Sequence, residues 1–144
     1  MTKRPVFVKP SDTLGKVARI MAEHKIGGCP VVHNNKLVGV VTQTDLVKSI
    51  DVYQKINGRR EMDLVFGLLK QKDIKPELRK AMRIKVSDVV KRGVVSIEAE
   101  HDIYKAARLI NKHNVDRLPV VKNGKLVGVI SKADIVKALD RINN

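Results

Sequence analysis

The sequence predicts a mixed α+β (α/β) fold: two copies of one βαββα unit packed as a pseudo-twofold sandwich, with a helical insert between them. Three patterns predict it, namely a repeat at constant spacing, apolar stripes at helical spacing, and paired apolar strands joined by two-residue turns. Residues 26–48 and 115–137 align without a gap at an offset of 89, with 12 of 23 positions identical. We therefore predict repeats at residues 1–50 and 87–144 and an insert at residues 51–86.

Each repeat opens with a short strand, predicted at residues 6–8 and 94–97, and continues with a helix. Apolar residues at i, i+3, i+4 and i+7 mark one buried helix face in both copies: Leu14, Val17, Ala18 and Met21 in the first, and Ile103, Ala106, Ala107 and Ile110 in the second. Thr13 and Asp102 occupy the matching positions before these helices, where a side-chain oxygen can accept from a free backbone N–H.

A hairpin and a second helix complete each repeat. The turns are Asn34-Asn35 and Asn123-Gly124, residue types that tolerate the positive φ angles of a tight hairpin. The predicted strands flanking them are residues 30–32 with 36–41, and residues 119–121 with 125–130. The second helices carry Leu46, Val47 and Ile50, and Ile135, Val136 and Leu139. One unit cannot cover both its sheet face and its helix stripes, so two units should stack face to face and leave clefts along the seam.

The insert carries a further apolar stripe at Met62, Val65, Phe66 and Leu69, and Pro76-Glu77 is typical of the first turn of a short helix. Residues 55–92 also hold 12 basic and five acidic residues, about half of the net charge of +14. We interpret the insert as a helical bracket with a solvated surface, and a basic arm that docks on a polyanion is the alternative.

Composition excludes several classes of function. Cys29 is alone, which rules out a disulfide or thiolate cluster within one chain and favours a reducing cytoplasm. Neither an 18-residue apolar run nor a signal peptide is present, so we expect no membrane association. The four histidines lack metal-ligand spacing, no glycine-rich phosphate loop occurs, and no acid–base or nucleophile constellation emerges. We expect no metal site and no enzymatic activity.

The repeat carries a family likeness in Pro-Val-Val before each hairpin and in Gly39-Val-Val-Thr42-Gln-Thr-Asp45 and Gly128-Val-Ile-Ser131-Lys-Ala-Asp134 after it. The chain resembles a tandem pair of cystathionine-β-synthase-type (CBS) domains, also called a Bateman module. The likeness covers nearly everything except the insert and leaves no catalytic domain, which suggests a stand-alone sensor of the archaeal or bacterial type. Such modules bind AMP, ADP, ATP (with Mg²⁺ where ATP is the ligand) or S-adenosylmethionine in clefts, and they commonly form disc-like homodimers.

The resemblance also implies site residues. Asp45 with Thr42, and Asp134 with Ser131, would contact ribose and phosphate. The adenine slots would be lined by Val8 and Cys29 in one site and by Ile97 and Leu118 in the other, and Arg117 would meet phosphate. The first copy departs from this pattern, because Gly27-Gly28-Cys29-Pro30 has no basic residue where the second has Arg117. We therefore expect the second site to bind phosphate better.

Spacing alone allows a different role for the two acidic residues. Thr42-x-x-Asp45 and Ser131-x-x-Asp134 have the form of helix capping boxes, with Asp in place of Glu. A cap and a ligand contact are compatible, because a helix N-terminus with free N–H groups also attracts anions. We predict a non-enzymatic regulatory module that binds an adenine nucleotide or related adenosyl ligand. The alternative is a nucleic-acid-binding protein, against which the 3% aromatic content argues.

Overall fold

The computed structural model describes residues 2–3, 5–56, 78–90 and 94–143, and for residues 2 and 52–56 it describes the backbone only. The chain divides into two units. Unit I comprises Met1–Phe7, Pro30–Gly39 and Arg92–Asn144, and unit II comprises Val8–Cys29 and Val40–Lys91. The fold is mixed α+β, as the sequence predicts. The predicted repeat boundaries stay a prediction, and each unit takes segments from both repeats.

From α1 onward, the described strands and long helices follow the predicted order. The strands are β1 (Thr2–Lys3), β2 (Gly28–His33), β3 (Lys36–Thr42), β4 (Ile97–Glu98), β5 (Arg117–Lys122) and β6 (Lys125–Ser131). The long helices are α1 (Leu14–His24), α2 (Gln43–Ile56), α3 (Ile103–His113) and α4 (Lys132–Asn143), and a 3₁₀ turn lies at Val86–Asp88. Residues 78–82 are also helical. The predicted stripe at residues 62–69 and the turn at Pro76-Glu77 lie outside the described residues.

Unit I contains a four-stranded sheet in the order β1-β6-β5-β4. The hairpin β5–β6 is antiparallel, β4 runs parallel to β5, and β1 adds antiparallel to β6 with Thr2 opposite Val129. The core beneath it contains Ile97, Ala106, Ile110, Leu118 and Val120. The amino-terminal strand of the first repeat therefore extends the sheet of the second repeat.

The first helices of both repeats begin at the predicted caps. The Thr13 hydroxyl accepts from the Lys16 N–H at 3.3 Å, and the Asp102 carboxylate accepts from the Lys105 N–H at 3.1 Å. Each helix ends on a left-handed residue, Lys25 with φ 53° and Asn114 with φ 50°. The repeat thus conserves both ends of this helix, although the capping residues themselves differ.

Both hairpin turns adopt positive φ at their two central residues. The values are 51° and 64° at Asn34 and Asn35, and 53° and 79° at Asn123 and Gly124. This is the type I′ geometry, whose twist matches that of the flanking strands. Within unit I the two turns meet, because the Leu37 N–H donates to the Gly124 carbonyl at 3.1 Å.

In unit II, the segment after the insert packs along the start of α1. The Leu14 N–H donates to the Ile84 carbonyl at 2.9 Å, and the Val86 N–H donates to the Asp12 carbonyl at 2.8 Å. A Cβ placed on Gly15 would lie 3.2 Å from the Met82 Cβ, so the absence of a side chain at this position permits the close approach. Sequence reasoning had not singled out Gly15.

The leading strands differ from their predicted bounds. Strand β4 begins at Ile97 instead of residue 94, and residues 6–8 contain only an isolated bridge position at Val8. The strand at Thr2–Lys3 was not predicted, because two residues are too few to show an alternating pattern. It forms because β6 offers it an edge to pair with, which is a tertiary effect.

Candidate functional site

The Thr42/Asp45 pair forms a reciprocal cap at the start of α2. The Asp45 Oδ2 accepts from the Thr42 N–H at 2.8 Å and from its Oγ1–H at 3.0 Å. The Thr42 Oγ1 accepts in return from the Asp45 N–H at 3.2 Å. The capping interpretation of this motif is therefore confirmed. The bonds use one carboxylate oxygen, and since a carboxylate has two acceptor oxygens, capping does not exclude a ligand contact.

The Ser131/Asp134 pair repeats this arrangement at the start of α4. The Asp134 Oδ2 accepts from the Ser131 N–H at 2.9 Å, and the Ser131 Oγ accepts from the Asp134 N–H at 3.2 Å. Burial raises the pKa of the Asp134 carboxyl, but the Ser131 hydrogen bonds and nearby positive charges, Lys137 the weakest among them, outweigh it, and the net pKa is lowered. Asp134 is therefore a carboxylate at neutral pH.

Asp134 borders a pocket of about 300 Å³ in unit I. The pocket lies between β4, the start of α3 and one face of α4. Its apolar lining comprises Ile97, Ala99, Ile103, Ala106, Val120, Ile130 and Ala138, and its polar lining comprises Glu98, His101, Asp102, Asp134, Lys137 and Arg141. An apolar cavity with a few convergent polar groups is the usual form of a small-molecule site.

The pocket brings together two of the predicted residues of the second repeat, Ile97 and Asp134. Ser131 lies next to it through its cap with Asp134, and Arg117 pairs with Ser131 across the β5–β6 ladder. Arg117 and Leu118 do not belong to the lining of this pocket, and Leu118 is fully buried. The ligand roles of all these residues stay predictions.

The apolar residues predicted for the first site are buried in the core of unit II. Val8 and Cys29 are both 0% exposed. Burial raises the pKa of the Cys29 thiol to about 11, with a further contribution from the nearby Asp12 carboxylate. A neutral packed thiol fits these facts. The proposed contact of Val8 and Cys29 with an adenine ring stays a prediction.

Sequence reasoning missed the basic side chains of the pocket. Lys137 and Arg141 lie three and seven residues after Asp134, and helical spacing therefore puts all three on one face of α4. That spacing was readable once the helix was predicted. His101 and Ala106 had no comparable signal, because their presence at the pocket depends on how α3 packs against the sheet.

Among the described residues, no group of three or more His, Cys, Asp or Glu side chains is arranged to hold a metal ion. Within the same part of the chain, no helix has the length and apolar character needed to cross a bilayer.

The structure is that of a duplicated α+β fold with a pocket beside a capped helix. Comparison with known proteins identifies the family. The family model described as "CBS domain" matches residues 1–52 and 86–141, and the chain belongs to this family. The protein MJ1426 of Methanocaldococcus jannaschii is 31% identical over 151 residues, which cover 95% of this chain and 87% of that protein.

Two further similarities bear on function. The inosine-5'-monophosphate dehydrogenase of Methanocaldococcus jannaschii is 31% identical over 137 residues, which cover 94% of this chain but 22% of that enzyme. The crystal structure of CBSX2 in complex with AMP has a TM-score of 0.74 and 28% identity, and the match covers 100% of this chain and 95% of CBSX2. The similarity to CBSX2 thus extends over both repeats.

Proposed function

We propose that this chain is a non-enzymatic regulatory module that binds an adenine nucleotide or a related adenosyl compound. AMP, ADP and ATP are the proposed ligands, with Mg²⁺ accompanying ATP, and S-adenosylmethionine is a further candidate. The observation that carries the proposal is the unit I pocket, in which an ionised carboxylate, Asp134, stands at the rim of an apolar cavity.

The chemistry of the pocket suits a nucleoside. The apolar lining around Ile97 and Val120 offers a surface for an adenine ring, and the Asp134 carboxylate can accept hydrogen bonds from both ribose hydroxyls. Hydrogen bonds to a charged group are worth about 1.5–3 kcal/mol each. Such a site supports micromolar binding, since ~10 μM corresponds to about −7 kcal/mol.

The relatives support the regulatory class. CBSX2 was crystallised with AMP and matches the whole of this chain. The matched dehydrogenase is an enzyme more than four times as long as the aligned region. We infer that catalysis in that enzyme resides in its remaining length, so the region shared with this chain is a regulatory part.

A second binding site is proposed at the Asp45 cap of the first repeat. The cap geometry there matches that of Asp134, with Thr42 in place of Ser131. The first repeat lacks a counterpart of Arg117, so we propose that the second site binds phosphate more tightly.

Helix α4 offers a route by which ligand binding is communicated to a second copy of the chain. Val136, Leu139 and Ile142 on α4 are 64%, 54% and 75% exposed, and none of them lines the pocket. Val47, the first-repeat counterpart of Val136, is also exposed, at 66%. We propose that these residues form a homodimer interface, which gel filtration with light scattering tests directly. A ligand that binds one dimer geometry more tightly would then shift the population.

A thermal-shift and calorimetric screen tests the function. AMP, ADP, ATP, S-adenosylmethionine, NADH and GTP are compared, and at least one adenosyl compound should raise the melting temperature. Ligand at 100-fold over Kd adds about 2.7 kcal/mol, a shift of several degrees for a domain of this size. Asp134→Asn should retain an acceptor for the Ser131 N–H and lose most of the ligand-induced shift.

Asp140→Ala is the control, because it removes a carboxylate from an exposed position of the same helix that does not line the pocket. It should leave ligand binding unchanged. The proposal fails if no adenosyl compound stabilises the wild-type protein, or if Asp134→Asn and Asp140→Ala bind ligand equally well.

The proposed setting is the cytoplasm, where the lone Cys29 remains reduced. Nucleic acid stays the alternative partner, and it rests on the net charge of +14. Most of the basic insert lies outside the described residues. Binding to DNA that disappears between about 50 and 200 mM salt would indicate unspecific phosphate attraction only.

A further inference from the structure

The unit I pocket holds two cationic side chains that ribose and adenine recognition leave unused. Lys137 and Arg141 line it together with Asp134, and all three belong to α4. Lys137 follows Asp134 by three residues on the same helix face, and its charge is among those that lower the pKa of the Asp134 carboxyl.

Helical geometry sets the spacing of these residues. With a rise of about 1.5 Å per residue, Lys137 lies about 4.5 Å and Arg141 about 10.5 Å along the helix axis from Asp134. Residues at i, i+3 and i+7 share one helix face. The pocket therefore has a carboxylate near the start of α4 and two cations at increasing distance from it.

The opposite wall of the pocket carries acidic groups. Glu98 and Asp102 line that side, and the Asp102 carboxylate caps α3 by accepting from the Lys105 N–H. A phosphate chain placed along this wall would meet like charge. A phosphate chain that lies along α4 would meet Lys137 first and Arg141 second. Charge attraction therefore favours a phosphate path along α4.

We propose, on the basis of the function proposed above, that Lys137 and Arg141 bind the phosphates of the ligand and that Arg141 makes the second-repeat site selective for longer phosphate chains. Lys137 meets the phosphate nearest the ribose. Arg141 lies too far along the helix for a monophosphate and meets the outer phosphates of ADP or ATP. Arg suits this role because its planar guanidinium binds phosphate oxygens in pairs.

The first repeat has half of this arrangement. At the offset of 89, Lys48 corresponds to Lys137, but Val52 corresponds to Arg141. By sequence, the first repeat therefore keeps the counterpart of Lys137 and has a valine in place of Arg141. The two sites should differ in their preference for chain length, with the second repeat favouring ATP over AMP.

Isothermal titration with AMP, ADP and ATP, at about 150 mM salt to screen distant charges, tests the proposal. Arg141→Val, which copies the first repeat, should weaken ATP binding about tenfold, the loss of about one charge-assisted hydrogen bond, and change AMP binding less than about twofold. Lys137→Ala should weaken all three nucleotides to a similar extent.

Arg108→Val is the matched control. It removes the same charge from an exposed position of α3 that does not line the pocket, and it should leave the ratio of the AMP and ATP dissociation constants unchanged. If Arg141→Val leaves this ratio unchanged while the wild type binds nucleotide, chain-length selection by Arg141 is overturned and the nucleotide-sensing function stands. If the wild type binds no adenine nucleotide, both fall.

Discussion

The two repeats preserve the cap that starts their second helix and diverge in the residues around it. Asp45 and Asp134 make the same reciprocal bonds within about 0.1 Å, whereas Ala106, which lines the second-repeat pocket, is replaced by the larger Val17 in the first repeat. Caps stabilise a helix by about 1 kcal/mol wherever it occurs, so both copies need them. Ala106 lines the pocket and also belongs to the core, so at this position the two copies differ in core packing as well as in pocket lining.

The repeats also differ in what covers their first helix. In unit II, the chain after the insert packs on α1 beside Gly15. The corresponding residue of α3 is Tyr104, which is 76% exposed. The insert follows the first repeat, and the chain at its end packs against α1. The two repeats therefore share the same secondary structure, but the segment after the insert makes the environment of α1 different from that of α3.

The largest expected difference between the repeats concerns the first residue of this helix. Leu14 is 0% exposed, whereas its counterpart Ile103 is partly exposed at the pocket. Leu14→Ala should lower the free energy of unfolding by about 3 kcal/mol and Ile103→Ala by about 1 kcal/mol, because a buried cavity costs more than a shortened side chain that water already reaches. Urea denaturation measures both, and equal losses would show that the two helices are packed alike.

The next prediction concerns substitutions at Gly15 and at its counterpart Tyr104. Gly15→Tyr should destabilise the protein by about 2 kcal/mol, because even a Cβ at this position would lie 3.2 Å from the Met82 Cβ and the ring must displace the packed segment. Tyr104→Ala should change stability by no more than about 0.5 kcal/mol, as is usual for an exposed side chain. Thermal unfolding of the two variants tests this, and a neutral Gly15→Tyr would contradict the close packing of residue 82 on α1.

The smallest predicted difference concerns how stability depends on alkaline pH. It compares Cys29 with its counterpart Leu118, the buried residues that precede the shared proline. The pKa of Cys29 is raised to about 11 from 9.0, so the folded state holds the thiol proton more tightly than the unfolded state does. This stabilisation is fully present below pH 9 and is lost as the pH rises from about 9 to 11. The loss at pH 10 is about 1 kcal/mol. Cys29→Ala should lower stability at neutral pH and show a shallower alkaline decline.

Leu118→Ala is the matched control: it truncates a buried residue but keeps the Cys29 thiol, so its stability should decline with pH as steeply as that of the wild type. Both variants are followed by urea denaturation from pH 7 to about pH 10.5. If Cys29→Ala declines with pH as steeply as the wild type does, the buried thiol does not contribute to alkaline sensitivity.

Much of the local structure could be predicted from the sequence. Local features depend on neighbours within four residues, as at the caps of Thr13 and Asp102, the turn at Asn123-Gly124 and the start of α4. Each of these patterns occurs at the matching position of both repeats. The site was only partly predictable. Asp134 and Ile97, predicted through the family resemblance, line the pocket, whereas Arg117, predicted to meet phosphate, does not, and the ligand roles of all three stay predictions.

The sequence by itself determined the repeat, the order of the elements, the helix caps and the turn type, because these depend on short-range hydrogen bonds and on the period of apolar residues. The tertiary structure alone decided that Thr2–Lys3 pairs with β6, that Met82 packs against Gly15, and that Ala106 and Arg141 border the same pocket. These contacts join residues far apart in the chain, and they form only where buried surface and unpaired strand edges meet in the folded protein.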